Sequence, residues 1–393
     1  MKKFCFVQLQ LNRDVTNDTK HFWKLEADSV VFRELLFSLR KFTQFELIHF
    51  NDLNSNTSLF ITLEDFQHAD YQIEELKRSL KNKSFKNVFY DFSTHDNQNI
   101  SEKVLDKFEQ CFPDVPSYFI TKNIISKRKN HFWFEVLFPH YIENTPVNDE
   151  AFKAFRLMEQ VQTPFLRKYK GMFHVGHIRY HKIKFLNFLH ENNFLDHFMW
   201  GSTGVDYDPG LFPELVPEKF QEDFKTFSVL TQLPRFYDYD GYSSYNQRGN
   251  SFNLVSYLDS YFEIAPETKF YHTRNQPGAM DTEETWNNIS EKTMRPTFTG
   301  HPFILLSKPN TISTLENMGL KYRFDFWNHS YDAIINDDER MESIQNFTKQ
   351  VMSMEKPMLA EFKTAYNEIT SSNYQRMYHE LYPEKMLKIH NEA

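Results

Sequence analysis

Residues 289–309 read ISEKTMRPTFTGHPFILLSKP. The stretch is a polar cluster, then a short helical segment, then a buried strand. Ser290 has the side chain of a helix N-cap, and the turn that follows carries Glu291, Lys292 and Arg295. A helix start exposes unpaired N–H groups and a partial positive charge. With Lys292 beside it the segment suits a diphosphate, while Glu291 is placed to accept bonds from ribose hydroxyls. The competing reading of the same Glu-Lys pair is a surface ion pair. After Gly300, the run Pro302 to Leu306 reads as a core strand and Ser307 to Thr311 as the loop at its carboxyl end.

Outward from this stretch, short apolar runs alternate with helical patterns, the rhythm of parallel sheets with crossover helices. On the amino-terminal side, strands are expected at Phe4 to Leu9, Phe45 to His49, Leu59 to Leu63, Val88 to Phe92, Tyr118 to Ile120 and Phe132 to Phe138. Helices are expected from Asp28 through Leu39, at Tyr71 to Leu80 and at Ser101 to Phe112. These make one Rossmann-like domain over residues 1–145. A helical connection follows at 146–167, where Phe152, Phe155, Met158 and Val161 recur close to helical spacing. A second α/β domain spans 168–345. It has strands at Met172 to Val175, Phe198 to Trp200 and Tyr261 to Ala265, and helices at Ile183 to Leu189 and Ser313 to Met318. Residues 201–250 form a Pro-, Gly- and Tyr-rich insert, and 346–393 a helical tail rich in Glu, Lys and Met.

Composition bounds the function. A chain of 393 residues exceeds one usual hydrophobic core, which favours two domains. Forty-one Phe beside many Asn and Lys fits an AT-rich genome. A net charge of −8 argues against a surface that attracts nucleic acid everywhere, though not against a local basic patch. Two cysteines, Cys5 and Cys111, supply neither a disulfide framework nor a zinc site, as expected of a cytoplasmic protein. The opening MKKFCFVQLQLNRD is broken by Gln8, Gln10 and Asn12 before a signal-peptide core is complete, and no apolar run approaches the ~20 residues of a membrane helix.

Two α/β domains in series predict a cleft facing the carboxyl ends of both sheets. Three segments of the second domain converge there: Gly176 to Lys182, which follows a strand and opens a helix; Ala265-Pro266-Glu267-Thr268; and the quoted stretch. Arg179 and Lys182 are phosphate partners by charge, and Glu267 suits sugar hydroxyls. His177 and His181 stand at i, i+4, but no HExxH accompanies them, so no metal is assigned. Asp206-Tyr-Asp208 and Asp238-Tyr-Asp240 match the DxD pattern of cation-dependent nucleotide-sugar enzymes, a weak signal among 53 acids. P-loop, dinucleotide, serine-hydrolase and thioredoxin signatures do not occur.

With these segments in view, the second domain resembles the donor domain of the alpha-1,3-fucosyltransferase family and related glycosyltransferase-like proteins of bacteria and phages. FEIAPET, ISEKTMRP and TGHPFILL follow that family's order of a strand ending in Glu, an S/T-E-K element and a Pro-led strand. KGMFHVGHIRYHKIKFLNFLHENNFLD is similar to its strand, polar loop and helix, with His177 where Asn is usual. NMGLKYRFDFWNHSYDAI is similar to its downstream SYD region. The resemblance covers about residues 168–345.

It implies a GT-B fold, two Rossmann-like domains facing across a cleft. It also implies a metal-independent, inverting transfer of a sugar from a UDP- or GDP-linked donor to a hydroxyl, with no cofactor beyond that donor. By resemblance, Glu291 binds the ribose, Lys292, Arg179 and His181 the diphosphate, with Lys182 and Arg295 nearby, and Glu267 the transferred sugar. The family's catalytic Glu corresponds to Ser93 here, in NVFYDFSTHDN, which leaves Asp91, Asp96 and Glu64 as base candidates. The acceptor expected is a glycan or a hydroxymethylated base in DNA, the latter with Lys127, Arg128 and Lys129 on the phosphates. Competing readings are a cation-dependent transferase using Asp238 and Asp240, and a non-catalytic nucleotide-sugar or nucleic-acid binding protein.

Overall fold

The computed structural model describes residues 1–12, 22–27, 39–40, 43–63, 69–92, 102–121, 128–133, 157–158, 167–175, 179–202, 223, 226, 254–267, 270–271 and 289–393. These fall into two compact units: the first holds the described residues to 133 together with 378–393, the second those from 157 to 377. Both units are α/β and built on parallel sheets, and the carboxyl-terminal region is helical, the fold class expected from the sequence. The helix expected after Asp28, the connection at 146–167 and the insert at 201–250 lie almost wholly outside the described residues.

In the first unit, strands β1 (Lys2–Asn12), β2 (Phe22–Ala27), β3 (Phe45–Leu47), β4 (Thr57–Leu63), β5 (Asn87–Asp91), β6 (Ser117–Thr121) and β7 (His131–Trp133) form one sheet. Its order is β2-β1-β4-β5-β6-β7, with β3 also beside β1. Every pairing is parallel except that of β2, an antiparallel edge strand the sequence reading did not assign. Strands β4 and β5 are buried throughout, which is why they read as unbroken apolar runs. Helix α1 (Ala69–Leu80) buries Ala69, Gln72, Ile73, Leu76 and Leu80, one stripe at helical spacing. Helix α2 (Glu102–Glu109) adds Leu105 and Phe108 to the same core.

The high Phe content has a structural use here. Phe6, Phe60, Phe89 and Tyr118 are register partners on successive strands, and their rings stack at 4.6, 4.5 and 4.8 Å. In-register parallel strands place like side chains directly beside one another, so an aromatic at each position gives a continuous ring row.

The second unit is built on β8 (Gly171–Val175), β9 (Phe198–Ser202), β10 (Phe262–Pro266) and β11 (Phe303–Leu306), all parallel, in the order β11-β10-β8-β9. Its helices among the described residues include α3 (Tyr180–Glu191), α4 (Leu254–Asp259), α5 (Glu291–Thr299), α6 (Thr311–Asn317), α7 (Asp337–Ser353) and α8 (Lys356–Gln375). Gly171 lies between its register partners Phe198 and Phe262, whose rings meet edge to face at 5.6 Å. A Cβ at Gly171 would sit 2.6 Å from the Phe198 ring, so the close approach requires glycine.

Among the described residues β11 is an edge strand, and side chains bond to it. Trp327 Nε1 donates to the Phe303 carbonyl at 3.0 Å, and the Leu305 N–H donates to Tyr331 Oη at 2.9 Å. Two outward groups of this strand are thereby bonded. Next to Tyr331, Asp332 caps α6, accepting from the N–H groups of Ile312 and Ser313 at 3.0 Å each. Tyr331 and Asp332 of the SYD tripeptide thus each have structural partners.

Beyond α8 the chain runs through a π turn at Arg376–Leu381 into α9 (Tyr382–Glu392), which belongs to the first unit. The last carbonyls of α9 lack intrahelical donors, and residues at the starts of β1, β4 and β5 supply them. Lys2 Nζ reaches His390 O and Asn391 O at 2.6 and 2.7 Å, Asn87 Nδ2 reaches Glu392 O at 2.7 Å, and Ser58 Oγ reaches Ala393 O at 2.7 Å.

Candidate functional site

The strand order of the second unit reverses between β8 and β10: from β8 the chain goes outward to β9 on one side, then returns to β10 on the other. Crevices outside the carboxyl ends of two such strands are where open parallel sheets bind ligands. The end of β8 leads to α3, the end of β10 is Pro266-Glu267, and α5 precedes β11.

The two helix starts at this edge differ. Ser290 caps α5 as expected, its Oγ accepting from Lys292 N at 3.3 Å. The start of α5 is nevertheless closed. Glu267 Oε1 accepts from Ser290 N at 3.0 Å and from Thr293 Oγ1, and Glu267 Oε2 accepts from Ser290 Oγ at 2.5 Å. The N–H groups of Thr293 and Met294 turn to Ser290 O. A carboxylate of the chain itself therefore occupies the positive end of the α5 dipole, which corrects the expectation of free N–H groups there. Glu267 is fully buried. Lys292, partly buried, folds back so that its Nζ lies 3.4 Å from Ser290 Oγ. Glu291 is the first residue of the helix; its side chain lies outside what is described.

Among the described residues the start of α3 is built differently. Its N-cap is Arg179, extended, with no side-chain cap bond, and the first intrahelical bonds run from Lys182 N and Ile183 N to Arg179 O. Arg179 is half-buried, and Lys182 in the first turn is 1% exposed. His181 Nε2 lies 2.9 Å from the Glu267 carbonyl, a bond spanning the reversal point, and its ring stacks on Phe270 at 5.4 Å. Burial, reinforced by Lys182, holds its pKa well below the usual histidine range. The ring is neutral, and since a carbonyl only accepts, Nε2 carries the proton. His181 thus ties α3 to β10, and the formal positive charge expected for a diphosphate falls to Arg179, Lys182 and Lys292.

Arg295 lies in the second turn of α5. Its charge acts on His174 of β8 and Glu263 of β10. Glu263 is buried, accepts from Tyr257 Oη at 2.9 Å, and is pushed up to about 8 by burial. An acidic residue inside FEIAP was a visible signal that sequence reasoning passed over. Lys308, at the carboxyl end of β11, was also passed over; it is 4% exposed, and burial lowers its pKa.

Of the base candidates, Asp91 ends β5 and is 1% exposed, with Thr62 Oγ1 3.5 Å from its Oδ2. Glu64 and Asp96 lie outside the described residues, as do Lys127, His177 and both DxD pairs. Arg128 is held by Glu102, Asp106 and Glu109, the last at 2.8 Å, so three carboxylates of α2 surround the guanidinium proposed for a nucleic-acid backbone. Among the described residues no group of three His, Cys, Asp or Glu is placed to hold a metal ion, and no helix is long and apolar enough to cross a membrane.

No family model and no curated protein matches the chain. Among solved structures, it is similar to the crystal structure of an alpha1,3-fucosyltransferase with GDP-fucose. The similarity covers 100% of this chain and 89% of that one, at 10% sequence identity and a TM-score of 0.44. A likeness so distant carries neither site nor activity to this chain.

Proposed function

We propose that the chain is a glycosyltransferase of GT-B type, whose second unit binds a nucleoside-diphosphate sugar and whose reaction passes the sugar to an acceptor hydroxyl. The observation that supports this best is the start of α3 at the strand-order reversal, with Arg179 at its N-cap and Lys182 in its first turn. Backbone N–H groups and two cations at a helix start suit the oxygens of a diphosphate, and the same groups stabilise the charge that develops on the departing nucleotide. Lys292 adds a third cation from α5. Transfer without a metal, inversion at the sugar carbon, and a base among Asp91, Asp96 and Glu64 belong to the same reading.

A glycan acceptor is preferred to DNA. Arg128 is already neutralised by α2, and the net charge is −8. The test is incubation with UDP- and GDP-linked sugars, with and without chelator, following release of nucleoside diphosphate. Release that persists in chelator and is slowed in Arg179→Ala supports the reading. Absence of release and of nucleotide binding with every donor defeats it, and release abolished by chelator defeats its metal-independent form.

A further inference from the structure

The carboxylate of Glu267 stands at the end of β10, yet all its described bonds go to one place, the first turn of α5. Ser290 donates through both N–H and hydroxyl, and Thr293 through its hydroxyl. Ser290 Oγ in turn accepts from Lys292 N and lies 3.4 Å from Lys292 Nζ. The sequence resemblance implies that Glu267 touches the transferred sugar, but its side chain is fully buried against the helix.

We infer that Glu267 is a positioning residue: it fixes the first turn of α5 to the end of β10 and so sets where Lys292 stands relative to the start of α3. The inference rests on the donor-site reading above. His181 bonds the Glu267 backbone carbonyl at 2.9 Å, so one residue joins both helix starts at the reversal point, α3 through its carbonyl and α5 through its carboxylate. Three donors converge on two oxygens that offer about four acceptor sites, a cap that an amide reproduces if the Ser290 hydroxyl turns round. Truncation to alanine leaves those donors without an acceptor in a buried place.

The experiment compares wild type, Glu267→Gln and Glu267→Ala of the full chain. Titration calorimetry is run with GDP and UDP and then with the corresponding nucleotide sugars, and amide exchange is followed at Thr293 and Met294. Glu267→Ala should weaken the bare nucleotide and the nucleotide sugar alike, by about tenfold, the scale of a lost charge-assisted hydrogen bond. It should also speed exchange at the two amides while those of β10 and β11 stay protected. Glu267→Gln should restore both properties to near wild type. A loss confined to nucleotide sugars, with bare nucleotides bound as before, would mean direct contact with the sugar and overturn the inference. Unchanged exchange in Glu267→Ala overturns it as well. Wild type that binds neither nucleotide nor sugar nucleotide defeats the donor-site reading instead, and the exchange data then still decide whether Glu267 orders α5.

Discussion

His181 Nε2 donates to the backbone carbonyl of Glu267 across 2.9 Å, joining the first turn of α3 to the end of β10 at the point where the sheet reverses its strand order. The bond spans 86 residues of sequence and is fully buried. His181→Ala removes the donor and the ring stacked on Phe270. A loss of about 2 kcal/mol or more is expected in urea unfolding. A loss under ~0.5 kcal/mol would show that the tie contributes nothing measurable.

Lys292→Ala and Arg179→Ala should each weaken GDP or UDP binding roughly tenfold with little change in the urea midpoint, because neither side chain is part of a hydrophobic core. Both losses should shrink as salt is raised. Unchanged affinity in both variants argues against this edge of the sheet as the nucleotide seat.

Gly171→Ala should be destabilising by about 1–3 kcal/mol, since the new methyl meets the Phe198 and Phe262 rings at 2.6 and 2.9 Å with strands on both sides to hold them. Thermal unfolding reads the effect. A second change, Phe198→Leu in the Gly171→Ala background, should return part of it, because the clash lies mainly on that ring.

Glu263 supplies a pH dependence with a definite sign. Its folded pKa is about 8, while the ordinary value is 4.5, with Tyr257 and Arg295 only partly offsetting the effect of burial. Between those values the folded chain holds a proton that the unfolded chain has released, so this group's contribution to stability falls as pH rises from about 4.5 to about 8. Glu263→Gln keeps an acceptor for Tyr257 and cannot ionise. Its stability relative to wild type should therefore increase with pH across that window, by at most ~1.4 kcal/mol per pH unit, in urea titrations at pH 5.5 and 8. A difference independent of pH would rule this out.

Tyr331→Phe tests the bond that Tyr331 makes to β11. It deletes the oxygen that accepts from Leu305 N and contacts His329 Nδ1 at 2.7 Å. Faster amide exchange at Leu305 and a loss of about 1–3 kcal/mol are expected, the cost of a buried N–H without an acceptor.

Much of the fold was legible because periodicity is local. Buried parallel strands such as Leu59 to Leu63 and Pro302 to Leu306 announce themselves as apolar runs, and their expected positions lie within two residues of β4 and β11. Strand β2 and helix α4 went unassigned, since Phe22–Ala27 and Leu254–Asp259 are short and mix polar with apolar residues. Their conformations depend on tertiary partners, the antiparallel register with β1 for β2 and the bonds from Arg167 to the Tyr257 and Leu258 carbonyls for α4.

Residue types, their order along the chain and the cap at Ser290 were set by the sequence alone, because a cap, a strand run and a charge are properties of a few adjacent residues. How each helix start is bonded was decided only by tertiary structure. Glu267 is 23 residues from Ser290 and closes α5, while nothing in the spacing distinguishes it from a glutamate left open to a sugar. The same holds for Arg128, basic in sequence yet surrounded by carboxylates of α2 that lie 19–26 residues earlier. Hydrogen bonds and ion pairs of this kind are fixed by positions in space, and sequence patterns record those positions only where they recur at helical or strand spacing.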